Sequence, residues 1–197
     1  MPSVKGLKIT TQPATEPVTV AEAKAHLRVD ISEDDTIIGT MITTARKYCE
    51  QVSRRQFITA TYTWKMDDFP VVDEIEVPVS PLIAVSSISY EDTDSATQTL
   101  STDVYQVDAH GDPGRIGLKD GQDWPDVADE WNAVTITFTA GYGSSASDVP
   151  QQFKDAIKLI VGDLYENRQE TITGTIVASL PRGVRSLLAV DGFARIG

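Results

Sequence analysis

The two histidines are the side chains in this sequence that could act as general bases near neutral pH. His26 lies in a predicted short helix, and His110 is next to the turn sequence Gly111-Asp112-Pro113-Gly114. A serine hydrolase also needs a nucleophile and an orienting acid, and the sequence has no Gly-x-Ser-x-Gly motif. We therefore predict a surface or packing role for both histidines, no catalytic residues and no enzymatic activity.

Acidic residues recur between positions 120 and 130, where they could bind a metal ion. They are Asp120, Asp123, Asp126, Asp129 and Glu130. The alternating acidic pattern that wraps calcium is absent, so the segment is typical of a solvated acidic loop. We expect Trp124 and Trp131 to anchor this loop to a sheet, and we predict neither a metal site nor a cofactor.

Three other features have simple structural interpretations. Gly141-Tyr142-Gly143 lacks the glycine-lysine element of a phosphate-binding loop and predicts a turn before a helix. Cys49, the only cysteine, excludes a disulfide within the chain, and it lies on an apolar helix stripe as a small core residue. Arg54-Arg55 could contact nucleic acid or an acidic partner, although a solvated helix end is the favoured alternative.

The charge of this 197-residue chain is concentrated in its middle. The net charge is −12, which argues against a surface that wraps DNA phosphates. Residues 56–150 contain seventeen acidic and three basic residues, whereas residues 1–55 and 151–197 are each close to neutral. This asymmetry indicates two kinds of surface. No apolar run approaches the roughly 20 residues of a membrane span, residues 1–11 do not resemble a secretory signal, and the cysteine content favours synthesis in a reducing cytoplasm.

Helical periodicity occurs at both ends of the chain. Thr19 and Glu22 form a capping box before a short helix, and a longer amphipathic helix follows residues 32–35. Arg46 is among the cations expected to complement the C-terminal end of that helix dipole. A third helix is predicted after Pro150 and a fourth after Pro181. The predicted subunit core comprises Ile38, Met41, Ile42, Ala45, Cys49, Phe153, Ile157, Ile160 and Leu164.

Between the helices the pattern changes to the period of two that is typical of strands. The predicted strands are 57–66, 74–77, 83–90, 97–100, 105–108, 115–118 and 134–139. These patterns predict an α+β fold in which N- and C-terminal helices form a bundle and a small antiparallel β domain is inserted. The predicted divisions are an extended N-terminal arm over 1–18, a helical domain over 19–55 and 148–197, and an acidic β insertion over 56–147. We expect the arm to become ordered only against a neighbouring subunit.

The order of three stretches resembles that of the phage head–tail connector, or adaptor, proteins, in their longer branch with a β insertion. The first stretch runs from Glu16 to Asp30, before the acids at 33–35 and the helix over 37–52, and the second runs from Arg54 to Trp64. The third comprises Thr139 to Gly143, Val149-Pro150, the helix from Phe153 and its end at Leu164 to Arg168. Similar proteins occur in tailed phages, prophages and gene transfer particles.

The resemblance implies a structural role in the neck of a virion or virus-like particle made in the bacterial host cytoplasm. Such adaptors form a ring, typically a dodecamer, beneath the portal protein. The ring extends the DNA channel without specific DNA binding and docks stopper or tail-completion proteins, and no membrane is involved. The alternatives are a tail-completion or other virion interaction module and, less favoured, a small phage-encoded enzyme.

The same resemblance implies that C-terminal segments reach toward the portal. We therefore expect the last β-branched stretch and the last helix to bind the portal protein. The residues concerned are Thr175, Ile176, Val177, Leu180, Pro181, Val184, Leu187 and Leu188.

Overall fold

The computed structural model describes residues 6–167 and 182–189 and has a mixed α/β fold. The strands are β1 Leu7–Thr11, β2 Ala60–Met66, β3 Glu74–Glu76, β4 Leu82–Glu91, β5 Thr97–Thr99, β6 Tyr105–Asp108, β7 Arg115–Leu118 and β8 Val134–Ala140. The α-helices are α1 Val20–Leu27, α2 Asp35–Ser53, α3 Gln151–Glu166 and α4 Arg182–Ala189, and a short 3-10 helix spans Ala146–Asp148. The prediction of helices combined with antiparallel sheet is confirmed. Within the described ranges, no helix is both long and apolar enough to cross a membrane.

Contacts within the chain define two compact units. One consists of Met1–Pro13 and Thr59–Tyr142, and the other of Ala14–Ile58 and Gly143–Gly197. The first contains the eight strands of the described residues and is called the β unit below. The second contains the helices and is called the helical unit.

A five-stranded antiparallel sheet, in the order β1-β2-β8-β4-β5, forms the centre of the β unit. Its middle strand β8 alternates buried and half-buried residues along its whole length. Val134, Ile136, Phe138 and Ala140 face the core, and the Phe138 ring stacks on Tyr62 of β2 with ring centroids 5.2 Å apart. The alternating sequence pattern that predicted this strand is explained by its burial, because every second side chain packs into the same apolar core.

A smaller antiparallel sheet, in the order β3-β7-β6, completes the β unit. Ile116 at the centre of β7 is fully buried and joins the same apolar cluster as Ile75 of β3. Gly114 precedes β7 at a point where the Leu82 side chain would overlap any Cβ atom. A glycine is therefore required for the backbone to approach β4 this closely.

The N-terminal arm differs from its prediction. Leu7–Thr11 is extended, as expected, but it pairs with β2 of the same chain, with Leu7 opposite Trp64 and Ile9 opposite Tyr62. The expectation that a neighbouring subunit is needed to order this segment is thus wrong for residues 7–11. The apolar periodicity is weak because β1 is an edge strand, four of whose five residues are exposed.

The helical unit is built around α2 and α3, against which α1 and α4 pack. Helix α1 starts at the predicted capping box: the Thr19 hydroxyl accepts from the Glu22 amide, and the Glu22 carboxylate accepts from the Thr19 amide at 2.8 Å. The Thr19 amide and the Thr19 hydroxyl both donate to the Glu22 carboxylate, and these hydrogen bonds lower the pKa of Glu22. Phe57 stacks on Phe153 of α3, with ring centroids 4.7 Å apart.

A buried ion network lies beside α2. The Arg46 guanidinium, whose side chain is 6% exposed, donates from Nε to Glu16 and from Nη1 to Glu50, both at 2.7 Å. Glu50 also accepts from the Phe57 amide at 3.0 Å and from the Gln56 side chain at 2.8 Å. Burial raises the pKa of Glu50, and the Arg46 charge opposes that rise. Arg46 was expected to complement the C-terminal end of the helix dipole, but it lies before the last turn of α2 and is buried against Glu16, from the segment before α1.

We expect Arg46→Met to lower the free energy of unfolding by about 3 kcal/mol, because it leaves two carboxylates without their buried cation. Adding Glu50→Gln to this variant should restore part of the loss, because the substitution removes one of the two negative charges. Chemical denaturation measures both effects. Lys47→Met, at the exposed neighbouring position, is the matched control and should change the free energy by less than about 0.5 kcal/mol. Equal stability of the Arg46 and Lys47 variants would contradict this role of the network.

Candidate functional site

The two histidines lie in different units of the structure. His26 is exposed on α1 in the helical unit, where its ring faces Gly162 of α3. His110 is exposed in the loop after β6 in the β unit, and its backbone amide donates to Asp108 at 3.0 Å. Across residues 6–167 and 182–189, no cluster of histidine, cysteine or acidic side chains has the geometry to hold a metal ion.

The candidate turn and the arginine pair occupy structural positions. Gly141 follows β8 with a φ of 140°, which favours glycine, and its amide donates to the Pro81 carbonyl at 2.9 Å. Arg54 forms the left-handed C-cap of α2 with a φ of 55°. Arg55 is buried, at 8% exposure. The two arginines therefore do not form the solvated pair that a joint contact with nucleic acid would require.

The predicted core residues all lie in the helical unit. Ile38, Ile42, Ala45, Cys49, Phe153, Ile157 and Ile160 are buried. Met41 and Leu164 are half-buried. These placements follow from the amphipathic stripes of α2 and α3, which face each other in the unit.

The predicted portal-binding residues fall into two groups. Thr175, Ile176, Val177, Leu180 and Pro181 lie outside the described residues. In α4, Val184 and Leu188 are buried and Leu187 is half-buried. Because α4 packs on α3, Val184 and Leu188 hold the last helix to its own chain.

The acidic loop before β8 is exposed as predicted, and one of its two tryptophans anchors it. Trp124 stacks on Phe69 with ring centroids 4.9 Å apart and an angle of 4° between the planes. Its indole N–H donates to the Val72 carbonyl at 3.0 Å. Trp131 does the opposite of what was expected: its side chain is 87% exposed. The prediction that both tryptophans anchor the loop is thus wrong for Trp131.

Sequence reasoning missed a concavity beside Trp131. Two loops of the β unit, 67–73 and 119–133, form a depression of about 650 Å³. Its lining residues are Asp67, Asp68, Val127, Ala128, Asp129, Glu130 and Trp131. Asp67 and Asp68 gave no signal in the sequence because they are far along the chain from the acidic run, and the fold alone brings the two segments together.

We expect matched alanine substitutions to separate the two tryptophans. Trp124→Ala should lower the free energy of unfolding by about 2–3 kcal/mol, because a ring stack and a hydrogen bond are lost. Trp131→Ala should change it by less than about 0.5 kcal/mol, because the exposed ring contributes little to folding. Denaturant titration of the two variants measures the difference, and comparable losses would contradict the anchoring role assigned to Trp124 alone.

Cys49 should be inert in the native protein. Its side chain is fully buried, and burial raises the pKa of the thiol to about 12. Since the thiolate is the reactive form, we expect no reaction with a thiol reagent at about pH 8 until the helical unit opens. Labelling should be immediate in denaturant, whereas rapid labelling of the native chain would contradict this burial.

The chain is similar to a known protein family in sequence and to several solved structures in fold. Residues 17–112 match the family described as phage gp6-like head-tail connector protein. No curated protein shows significant sequence similarity to the chain.

Three similar solved structures come from gene transfer agent particles. A chain from the virion of a native particle shares 22% identity, with a TM-score of 0.77. A chain from the neck of an empty particle, computed with C6 symmetry, shares 21% identity with a TM-score of 0.76. One from the neck of a native particle, computed with C12 symmetry, also shares 21% identity, with a TM-score of 0.74. Each match covers 93% of both chains. Residues 17–112 are thus similar to the phage head–tail connector family, and the chain has the fold of chains in these gene transfer agent particles.

Proposed function

We propose that the protein is a structural subunit of the connector ring in the neck of a phage or gene transfer particle. The ring lies beneath the portal protein, extends the DNA channel and docks a stopper or tail-completion protein. The observation that carries this proposal is the connector family match over residues 17–112. Similarity of the fold to chains in particle necks computed with C6 and C12 symmetry supports a ring, and a dodecamer is the proposed copy number.

In this proposal the helical unit forms the wall of the ring, and the β domain is an insertion in it. A closed ring uses head-to-tail contacts between different faces of neighbouring subunits, so each copy must hold both faces in a fixed relation. The buried Arg46 network and the facing stripes of α2 and α3 supply that rigidity within the helical unit. The terminal segments that contribute the helices are near neutral, which suits close lateral packing.

The β unit is proposed to lie outside the ring wall or at its rim. Residues 56–150 carry a net charge of −14, and twelve crowded copies of this charge would repel one another. Dissolved ions screen such repulsion over about 8–10 Å at physiological salt. A peripheral position, where solvent separates the copies, is therefore favoured.

Portal docking is proposed for the segment Thr175 to Pro181 and the accessible part of α4. Val184 and Leu188 support this role indirectly, because their burial fixes α4 on the helical unit. The half-buried Leu187 and the exposed Arg185 remain accessible on the same helix.

Two charged substitutions test this docking. We expect the double variant Ile176→Asp, Val177→Asp to fold normally. Filled heads made with it should carry neither this subunit nor a tail, because carboxylates disfavour an apolar contact with the portal protein. Electron microscopy of particles and thermal unfolding of the purified subunit provide the two measurements.

Ile83→Asp is the control, since it adds a carboxylate at an isoleucine of the β unit that is already 43% exposed. This variant should support tail attachment. Normal attachment by the double variant would contradict the portal-docking segment. Density for the wild-type chain at a place other than the neck would contradict the connector role itself.

A further inference from the structure

The concavity of the β unit is held open by hydrogen bonds from both of its loops. The Asp67 carboxylate accepts from the Asn132 amide at 2.8 Å, and Asn132 adopts a left-handed φ of 63°. On the opposite loop the Ala128 amide donates to the Glu91 carbonyl at 2.9 Å. The Trp124 bond to Val72 joins the two loops at a second point. The depression is thus a preformed feature of the folded β unit.

Trp131 lies at this concavity with its ring in solvent. An indole contributes more apolar contact area than any other side chain, and it is usually covered by other parts of the protein. Here the anchoring of the loop is already accomplished by Trp124, so the exposure of Trp131 serves no folding purpose. Large exposed aromatic side chains beside a depression are typical of the central residues of protein interfaces.

Four carboxylates surround Trp131 at the concavity. Asp67, Asp68, Asp129 and Glu130 all line the concavity, and all four are exposed. In the parts of the chain that the structure describes, no ion pair joins any of these four carboxylates to a cation. Among the described basic residues of the β unit, Arg115 pairs with Asp108 and Glu74, and Lys119 donates to the Thr102 carbonyl. Lys8 and Lys65 lie on β1 and β2, and neither forms an ion pair with these four carboxylates.

We propose that this concavity is a docking site for an arginine-bearing segment of another protein, with the guanidinium stacked on Trp131 and paired with the surrounding carboxylates. A guanidinium satisfies both parts of the site, because its flat face stacks on an indole and its edge donates to carboxylates in pairs. A lysine ammonium matches the charge but lacks the planar face. Nucleic acid is disfavoured because four carboxylates repel phosphates.

The inference does not depend on the neck function, because it concerns the chemistry of one surface of the purified chain. It adds a partner type that neither the family match nor the ring geometry specifies. If the peptide did not bind, the connector proposal would still stand. If the chain were absent from the necks of particles, the docking site proposed here would still stand.

Peptide titration of the full-length protein tests the proposal. The probe is the capped peptide acetyl-Gly-Arg-Gly-Arg-Gly-amide, and the readout is the indole N–H signal of Trp131 in NMR spectra, assigned with Trp131→Phe. We expect a saturable shift that weakens as salt is raised from about 0.05 to 0.5 M. The lysine version should bind about fivefold more weakly, because it loses the stacking contribution. The citrulline version, which lacks the charge, should give no saturable shift.

Variants of the protein complete the test. Trp131→Ala should weaken arginine-peptide binding about fivefold or more, followed through backbone amide shifts of the loop. Asp129→Asn with Glu130→Gln should weaken it about tenfold. Glu76→Gln with Asp94→Asn is the charge-matched control, because both residues are exposed in the β unit and neither lines the concavity. The proposal is overturned if the citrulline peptide binds as tightly as the arginine peptide, if no saturable shift appears up to about 10 mM peptide, or if the Trp131 and carboxylate variants bind like the wild type.

Discussion

The organisation of the helical unit depends on the buried Arg46 guanidinium. Arg46 pairs with Glu16, which precedes α1, and with Glu50 near the end of α2. Glu50 in turn receives the amide of Phe57, just before the chain enters β2. One cation thus fixes both the place where the chain enters the helical unit and the place where it leaves. A buried charge loses much of its stabilisation when it moves away from its partners. The network therefore restricts the positions of residues 16 and 57 more closely than apolar contacts would.

Polar contacts with defined geometry hold segments of the helical unit together. The two histidines, by contrast, are exposed and lie in different units. Helix α1 begins at a capping box, α2 is fixed by the ion network, and Tyr165 near the end of α3 donates to Asp34 at the start of α2 at 2.6 Å. The proposed connector ring requires subunits that keep their faces in register, and contacts of this kind would supply that rigidity.

The β unit shows a second division of labour, between two tryptophans of one loop. Trp124 is used for folding, through Phe69 and the Val72 carbonyl. Trp131, seven positions later, is left in solvent among carboxylates that lack cations in the described chain. The negative charge of residues 56–150 is therefore spread over the unit in general but meets an exposed aromatic ring at the concavity. There the local chemistry suits the arginine-bearing partner proposed above, while the charge of the β unit disfavours contact with nucleic acid.

The sequence by itself determined the local structure of this protein. The capping box at Thr19, the stripes of α2 and α3 and the alternation of β8 each depend on neighbours within a few residues, so their periods could be recognised without knowing the fold. The order of the connector-like stretches likewise pointed to the family later matched over residues 17–112. Only the tertiary structure decided the rest. Glu16 meets Arg46 across thirty positions, Asp67 meets Asn132 across sixty-five, and β1 finds its partner in β2. Pairings at such separations leave no periodic trace in the sequence, because they are set by how the elements pack and not by the residues between them.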